Sequence, residues 1–256
     1  QTIDPEAIAK TDHIIHLAGA GVADKRWSKK RKQDIINSRI QSSALIVKAL
    51  SEIPNNVQTV ISASAIGWYG ADTTGSRKKG FKEDAPADTQ FLGETGRLWE
   101  ESIQPVEQLG KRLVKLRTGI VLSNTGGALA EFKKPLNVGV AAILGHGKQM
   151  ISWIHVDDLS RIYLHVIEHK EIHGPYNAVA PYPVSNKYLT LALAKQMRRN
   201  FYIPVHVPSL LLKIMLGEMS IEVLKSATVS SHKIETAGFS FLYPTIEKSL
   251  EELIHK

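Results

Sequence analysis

Two serines at the end of an apolar run are the first residues in this chain whose type and position could do chemistry. In Val60-Ile61-Ser62-Ala63-Ser64-Ala65-Ile66-Gly67-Trp68-Tyr69-Gly70 a strand gives way to small residues and hydroxyls, then to an aromatic pair and a glycine. Ser64, or Ser62, could hydrogen-bond a substrate carbonyl, and Tyr69 could move a proton. The plainer alternatives are two strand-end serines and an aromatic plug. Arg117-Thr118-Gly119 stands at the exit of a second apolar run. Lys25, Arg26, Lys148 and Gln149 could bind an anionic substrate group, and Glu94 and Arg97 sit on a helix that should face the site or else be a solvated helix face. The ten histidines are scattered, and no metal centre is expected. The chain has no cysteine, which removes disulfides, thiolate metal ligands and cysteine nucleophiles.

These residues need elements to hold them. His13–Leu17 is short and apolar and runs into Ala18-Gly19-Ala20-Gly21, the pattern of a buried parallel strand ending in a small-residue turn. Ser28 is suited to cap a helix reaching about Ile53, with Ile36, Ile40, Ala44, Val47 and Leu50 as its buried face. Pro54-Asn55-Asn56 stops it, so residues 13–64 form a βαβ unit whose crossover should be right-handed. Polar Asp72–Thr89 is expected as a surface loop or hairpin. A helix over about Gln90–Leu109 follows, with Phe91, Leu98, Trp99 and Ile103 buried, then a strand over Leu113–Val121. Further on, Ile151–Val156 reads as a strand and Asp157 as the cap of a helix to about His169. Ser185 should cap a helix to about Met197, and helices should start at Pro208 and Pro244. Strands alternate with helices, so the fold class is α/β. In open parallel sheets ligands bind beyond the carboxyl ends of the strands, where the serines and Arg117 fall.

The 256 residues are 43% hydrophobic and 22% charged, an ordinary globular composition. The net charge of +7 is partly local, at Lys25-Arg26, Lys29–Lys32, Arg77–Lys79 and Arg198-Arg199. Such a balance can favour anionic ligands, although solvated faces account for most of these charges. No nucleic-acid motif and no membrane-length apolar run is present, and Gln1–Asp12 is polar and does not read as a targeting segment. The expected setting is cytoplasmic, with a small-molecule substrate, no nucleic acid and no membrane as partners; the sequence leaves the oligomeric state open.

Four motifs come in order: His16-Leu17-Ala18-Gly19, Ser62–Gly70, Leu116-Arg117-Thr118-Gly119-Ile120-Val121-Leu122 and Trp153-Ile154-His155-Val156-Asp157-Asp158-Leu159. In this order they resemble an extended short-chain dehydrogenase/reductase of the NAD-dependent epimerase/dehydratase group. Ala23–Trp27, Ser38-Arg39-Ile40, Gly145–Gln149, Gly174–Asn177 and Ala237–Phe241 resemble one epimerase-like branch, which carries a C-terminal domain of unknown function and is sometimes labelled a cell-division inhibitor. The resemblance implies a Rossmann-like doubly wound parallel sheet lacking its N-terminal strands, with a smaller C-terminal α+β substrate region. The implied division is residues 1–125 for the dinucleotide-binding part and 126–256 for a mixed substrate region. It implies NADP as cofactor, with NAD not excluded, held by Leu17, Ala18, Gly19, Ser62, Ala63, Arg117, Thr118 and Gly119. The first strand resembles the family's fourth, and the Gly-x-x-Gly-x-x-Gly turn has no match. About 60 residues, two βα units and a strand, are therefore expected before Gln1.

The chemistry departs from the family as well. Members carry Tyr-x-x-x-Lys on the helix after the serine strand; here Phe91 is followed four residues on by Thr95, and Leu92 by Gly96. A phenyl ring cannot donate a proton. Three readings stay open: a nicotinamide-dependent epimerase or oxidoreductase with altered acid–base residues, a regulatory protein that keeps the fold without turnover, and a partner-binding protein of cell division.

Overall fold

The computed structural model describes residues 2–255. They divide into two compact units that interleave along the chain. The first comprises the residues up to Gly70, Glu83–Thr118 and Arg161–Asn177; the second comprises Ala71–Lys82, Gly119–Ser160 and the residues from Ala178.

The first unit is built on a four-stranded sheet in the order His13–His16, Thr59–Ala65, Arg112–Thr118, Gly174–Ala178. The first three strands are parallel neighbours, with His16 beside Ser62, Ser62 beside Lys115 and Ser64 beside Arg117. Because strand side chains alternate between faces, this register sends His16, Ser62, Ser64 and Arg117 to one face. Ala63, Ala65, Leu116 and Thr118 go to the other. Helices Lys29–Glu52 and Phe91–Ile103 cover the first face, with Ile46, Ala49, Leu50 and Ile103 packing on Val57, Val60 and Leu113.

Ser28 caps the long helix through the Arg31 N–H at 3.1 Å. Its buried face is rotated from the expected one: Ile35, Arg39, Ser43, Ile46, Ala49 and Leu50 face inward, while Ile36, Ile40 and Val47 are half-buried and Ala44 is exposed. The polar members of that stripe have tertiary partners. The Arg39 guanidinium lies 4.8 Å from the Trp99 ring centre, and the Ser43 hydroxyl is 3.3 Å from His16 Nε2. A pattern of apolar side chains alone could not foresee them.

The second unit has three small sheets. Ile120–Ser123 lies between Gly126–Gly127 and Trp153–His155, Val140–Leu144 pairs with Ile203–Val207, and Met150–Ile151 pairs with Val184–Ser185. Helices Ala128–Leu136, Asn186–Arg198 and Ile246–His255 bury Leu129, Leu136, Leu189, Leu193, Ile246 and Leu250 around Trp153.

The expected strand over Leu113–Val121 is broken at Gly119. A Cβ there would stand 2.7 Å from the Ser152 carbonyl oxygen, so the chain needs a glycine to pass this close. The expected loop at Asp72–Thr89 contains a short helix, Thr74–Lys79, closed by a Thr73–Ser76 capping box. The helix at 156 is capped by His155, not Asp157: its Nδ1 accepts the Asp157 N–H at 3.0 Å while Nε2 stands 2.8 Å from Glu252. The side chains of His155, Asp157 and Glu252 therefore lie close together at the start of this helix. Ser185 caps its helix as expected, through the Tyr188 N–H at 3.2 Å. No helix is long and apolar enough to cross a membrane among the described residues.

Candidate functional site

The chemistry-bearing residues of the first unit meet around a carboxylate that the sequence did not single out. Glu100 lies on the inward face of helix Phe91–Ile103 beside Gly96, Trp99 and Ile103, and it is 5% exposed. Arg117 holds it with two bonds, Nε to Oε1 at 2.8 Å and Nη2 to Oε2 at 3.1 Å. Ser64 Oγ donates to the same Oε1 at 2.8 Å, and Lys115 Nζ stands 3.7 Å from Oε2. Arg117 Nη1 then donates to the Glu83 carbonyl at 3.0 Å and to the Tyr69 hydroxyl at 3.1 Å. Tyr69 passes its proton's bond to Asn177 Oδ1 at 2.7 Å, and Asn177 N–H donates to Glu83 Oε1 at 2.9 Å. The guanidinium also stacks 3.7 Å from the Trp68 ring centre.

Burial controls the electrostatics. Burial raises the Tyr69 phenol to about 12, against the opposing pull of Arg117. Burial lowers the Arg117 guanidinium, but its hydrogen bond and ion pair with Glu100 outweigh that and leave it raised. A buried ion pair is tolerated only when hydrogen bonds satisfy its remaining lone pairs and protons, and here Ser64, Tyr69 and the Glu83 carbonyl do so.

The remaining expected residues are placed as follows. Ser62 is 1% exposed and donates to the Ala63 carbonyl at 3.1 Å. Ala63 and Thr118 are half-buried, and Thr118 Oγ1 donates to the Leu116 carbonyl. Gly119 packs against Ser152, as described above. Leu17, Ala18 and Gly19 are exposed at the carboxyl end of the first strand, Leu17 by 62%. Lys25 and Arg26 are exposed in the loop before the long helix. In the second unit Lys148 is exposed and Gln149 is buried, its side-chain amide donating to the Leu144 carbonyl at 2.9 Å. Glu94 and Arg97 form a surface ion-pair run with Glu101 on the wet side of their helix and do not turn toward the serines.

The fit of a nicotinamide cofactor is read at the carboxyl edge of the first sheet. Leu17, Ala18, Gly19 and Ala65 are exposed there, small except for Leu17, at the ends of two adjacent parallel strands. Small exposed residues beyond the strand ends are the kind of edge a cofactor can approach, so the residues fit the group. The polar groups usually sought at such an edge, Ser64 and Arg117, are turned to the other face and bonded to Glu100.

A parallel sheet flanked by helices, with an open small-residue edge at its strand ends, defines a dinucleotide-type α/β protein. Residues 4–179 match the family model described as NAD dependent epimerase/dehydratase family, and residues 207–253 match one described as a domain of unknown function. The chain belongs to the NAD-dependent epimerase/dehydratase family. It is 38% identical over 245 residues to an epimerase family protein of Staphylococcus aureus, covering 96% of this chain and 80% of that one. A Staphylococcus saprophyticus epimerase family protein is 37% identical over 250 residues, with 97% and 81% covered. Among solved structures, the human epimerase family protein SDR39U1 with NADPH superposes at TM-score 0.89 with 25% identity, over 99% of this chain and 86% of that one. The nucleoside-diphosphate sugar epimerase of Corynebacterium glutamicum superposes at 0.75 with 29% identity, over 99% of this chain and 48% of that one.

Proposed function

We propose that this chain is an NADP-dependent epimerase or oxidoreductase of the cytoplasm, acting on a small anionic molecule without the tyrosine–lysine pair of its family. The observation that carries the reading is the exposed edge formed by Leu17, Ala18, Gly19 and Ala65. The NADPH of the human relative supports the choice of cofactor. When bound, the nicotinamide would accept and return a hydride. The chain's own residues bind and orient. Leu17, Ala18 and Gly19 would hold the cofactor, with Ala63 and Thr118 beneath it. Lys25 and Arg26, exposed in the loop before the long helix, are the first unit's candidates for the substrate's anionic group.

A concrete consequence concerns Ala65. Its side chain is exposed at the strand end, so a larger one meets solvent in the free protein and the cofactor in the complex. Ala65→Leu is expected to weaken NADPH binding about tenfold, about 1.4 kcal/mol, with unchanged thermal stability. Calorimetric titration with NADPH decides this; equal affinity in the variant would move the cofactor away from this edge.

Ser64, Ser62 and Tyr69 enter this reading as the catalytic set under one condition. Each hydroxyl proton already has an internal acceptor: Glu100, the Ala63 carbonyl and Asn177. A substrate oxygen must displace that acceptor to receive it. If Ser64 does this, Ser64→Ala lowers kcat/KM by roughly 5- to 150-fold, or about 1–3 kcal/mol. Phe91→Tyr restores no activity, because Thr95 Oγ1 is bonded back to the Phe91 carbonyl and offers no cation. The assay is hydride exchange between NADPH and a panel of carbonyl compounds, followed by steady-state kinetics of the variants.

The internal commitment of all three hydroxyls favours a second reading: a protein that binds the dinucleotide without turning it over. Tight NADPH binding with no hydride exchange across the panel would select it.

A further inference from the structure

We propose that Ser38 and Arg39 are positioning residues for the cofactor edge: together they fix the backbone of Ala20 and so hold Leu17, Ala18 and Gly19 in place before the dinucleotide arrives. The inference rests on the NADPH reading of that edge. Ser38 and Arg39 are neighbours on the helix Lys29–Glu52. Ala20 N–H donates to Ser38 Oγ at 2.9 Å, and Arg39 Nη1 donates to the Ala20 carbonyl at 3.1 Å. Both backbone groups of one loop residue are thus held by two consecutive side chains.

The loop needs such a support. The ladder of the first strand ends with His16 beside Ser62, and Leu17–Gly21 continues without regular structure. Gly19 and Gly21 add to its freedom, because glycine loses more on ordering than any other residue. Where a ladder stops, backbone N–H and C=O groups must find partners among side chains or water. At Ala20 those partners come from the helix.

The two side chains are themselves fixed. Ser38 Oγ donates its one proton to the Ile35 carbonyl at 2.9 Å, which leaves a lone pair for the Ala20 N–H. Arg39 Nη1 makes a second bond to the same Ile35 carbonyl at 3.0 Å. The Arg39 guanidinium lies 4.8 Å from the Trp99 ring centre, and the residue is 9% exposed. Gly19 lets it lie against the loop: a Cβ there would stand 3.2 Å from Arg39 Cζ, and the guanidinium would have to give way. The glycine of this edge therefore serves Arg39 as well as the cofactor. A plainer alternative is a helix that only satisfies a loop, and it predicts lost stability with unchanged affinity. Positioning predicts lost affinity, because an unheld edge must be ordered at the moment of binding.

The test has two readouts, amide hydrogen exchange of Ala20 in the cofactor-free chain and calorimetric titration with NADPH. In the wild-type chain the Ala20 amide should be protected, and Ser38→Ala should expose it. Ser38→Ala and Arg39→Gln should each weaken NADPH binding about tenfold. Ser38→Thr, which keeps the hydroxyl, should restore both protection and affinity. Ala49→Gly loosens the same helix about three turns away; it should lower the melting temperature and leave NADPH affinity unchanged. The proposal is overturned by an unprotected Ala20 amide in the wild-type chain, by wild-type affinity in either Ser38→Ala or Arg39→Gln, or by an equal loss in Ala49→Gly. In each of these cases the wild-type chain still binds NADPH, and the cofactor reading stands. Absence of NADPH binding by the wild-type chain overturns the cofactor reading and this proposal together.

Discussion

Arg117→Met will lower the unfolding free energy by about 3–5 kcal/mol, because it leaves the Glu100 carboxylate buried without its main cation. At 2% and 5% exposure neither partner can turn to water. The loss should appear as a fall in melting temperature of roughly 10 °C for a chain of this size. Lys115, 3.7 Å from Glu100, supplies some residual charge and sets the lower end of the range. Glu100→Gln added to Arg117→Met should recover part of the loss, since the unpaired charge disappears with it. The two substitutions should then be strongly non-additive. Thermal and urea unfolding of the two singles and the double measure this. A loss below about 1 kcal/mol for Arg117→Met, the size typical of surface pairs, would show that water reaches Glu100.

The second large effect is acid sensitivity at His16. Its ring is 3% exposed, beside Ser43 Oγ at 3.3 Å and Ser42 Oγ at 3.4 Å, with the Trp99 ring centre 6.4 Å away. The nearby cation is Arg39, whose guanidinium lies 4.8 Å from the same Trp99 ring centre. Burial lowers the imidazole from 6.5 to about 4. The unfolded chain therefore takes up this proton below about pH 6.5, and the folded chain only below about 4. Between those values the unfolded state binds more protons, so stability falls as pH falls, by about 3 kcal/mol in all. Above pH 6.5 the group is neutral in both states and contributes no slope. Urea unfolding at pH 7, 5.5 and 4.5 on the wild-type chain and His16→Gln isolates the contribution from that of the carboxylates. Parallel pH profiles in the two proteins would remove His16 as the cause.

Local rules were enough for part of the molecule. Ser28 and Ser185 cap the helices they precede because a cap needs only a short hydroxyl and the next turn of backbone. The βαβ segment, the α/β class and the family motifs were readable for the same reason: strand runs, helix stops and turns are set by neighbours a few residues away. The lost Tyr-x-x-x-Lys pair could also be read directly, since it is a matter of which residues occupy two positions.

Only the tertiary structure decided which polar residues face inward. Glu100 is one carboxylate in a helix that also carries Glu94 and Glu101, and nothing in the local pattern separates them. The difference is that Glu100 meets Arg117, 17 positions away in the chain, while Glu94 and Glu101 meet Arg97 at the surface. The same holds for Arg39 and Ser43, which occupy an inward stripe because Trp99 and His16 are there to receive them. Ser64 had the right residue type and the right strand end, yet side-chain alternation turned it toward Glu100 and turned Ala65 toward the open edge. A buried charge is stable only beside its partner, and partners far apart in sequence are brought together by the packing of the sheet and its helices, which short-range spacing does not encode.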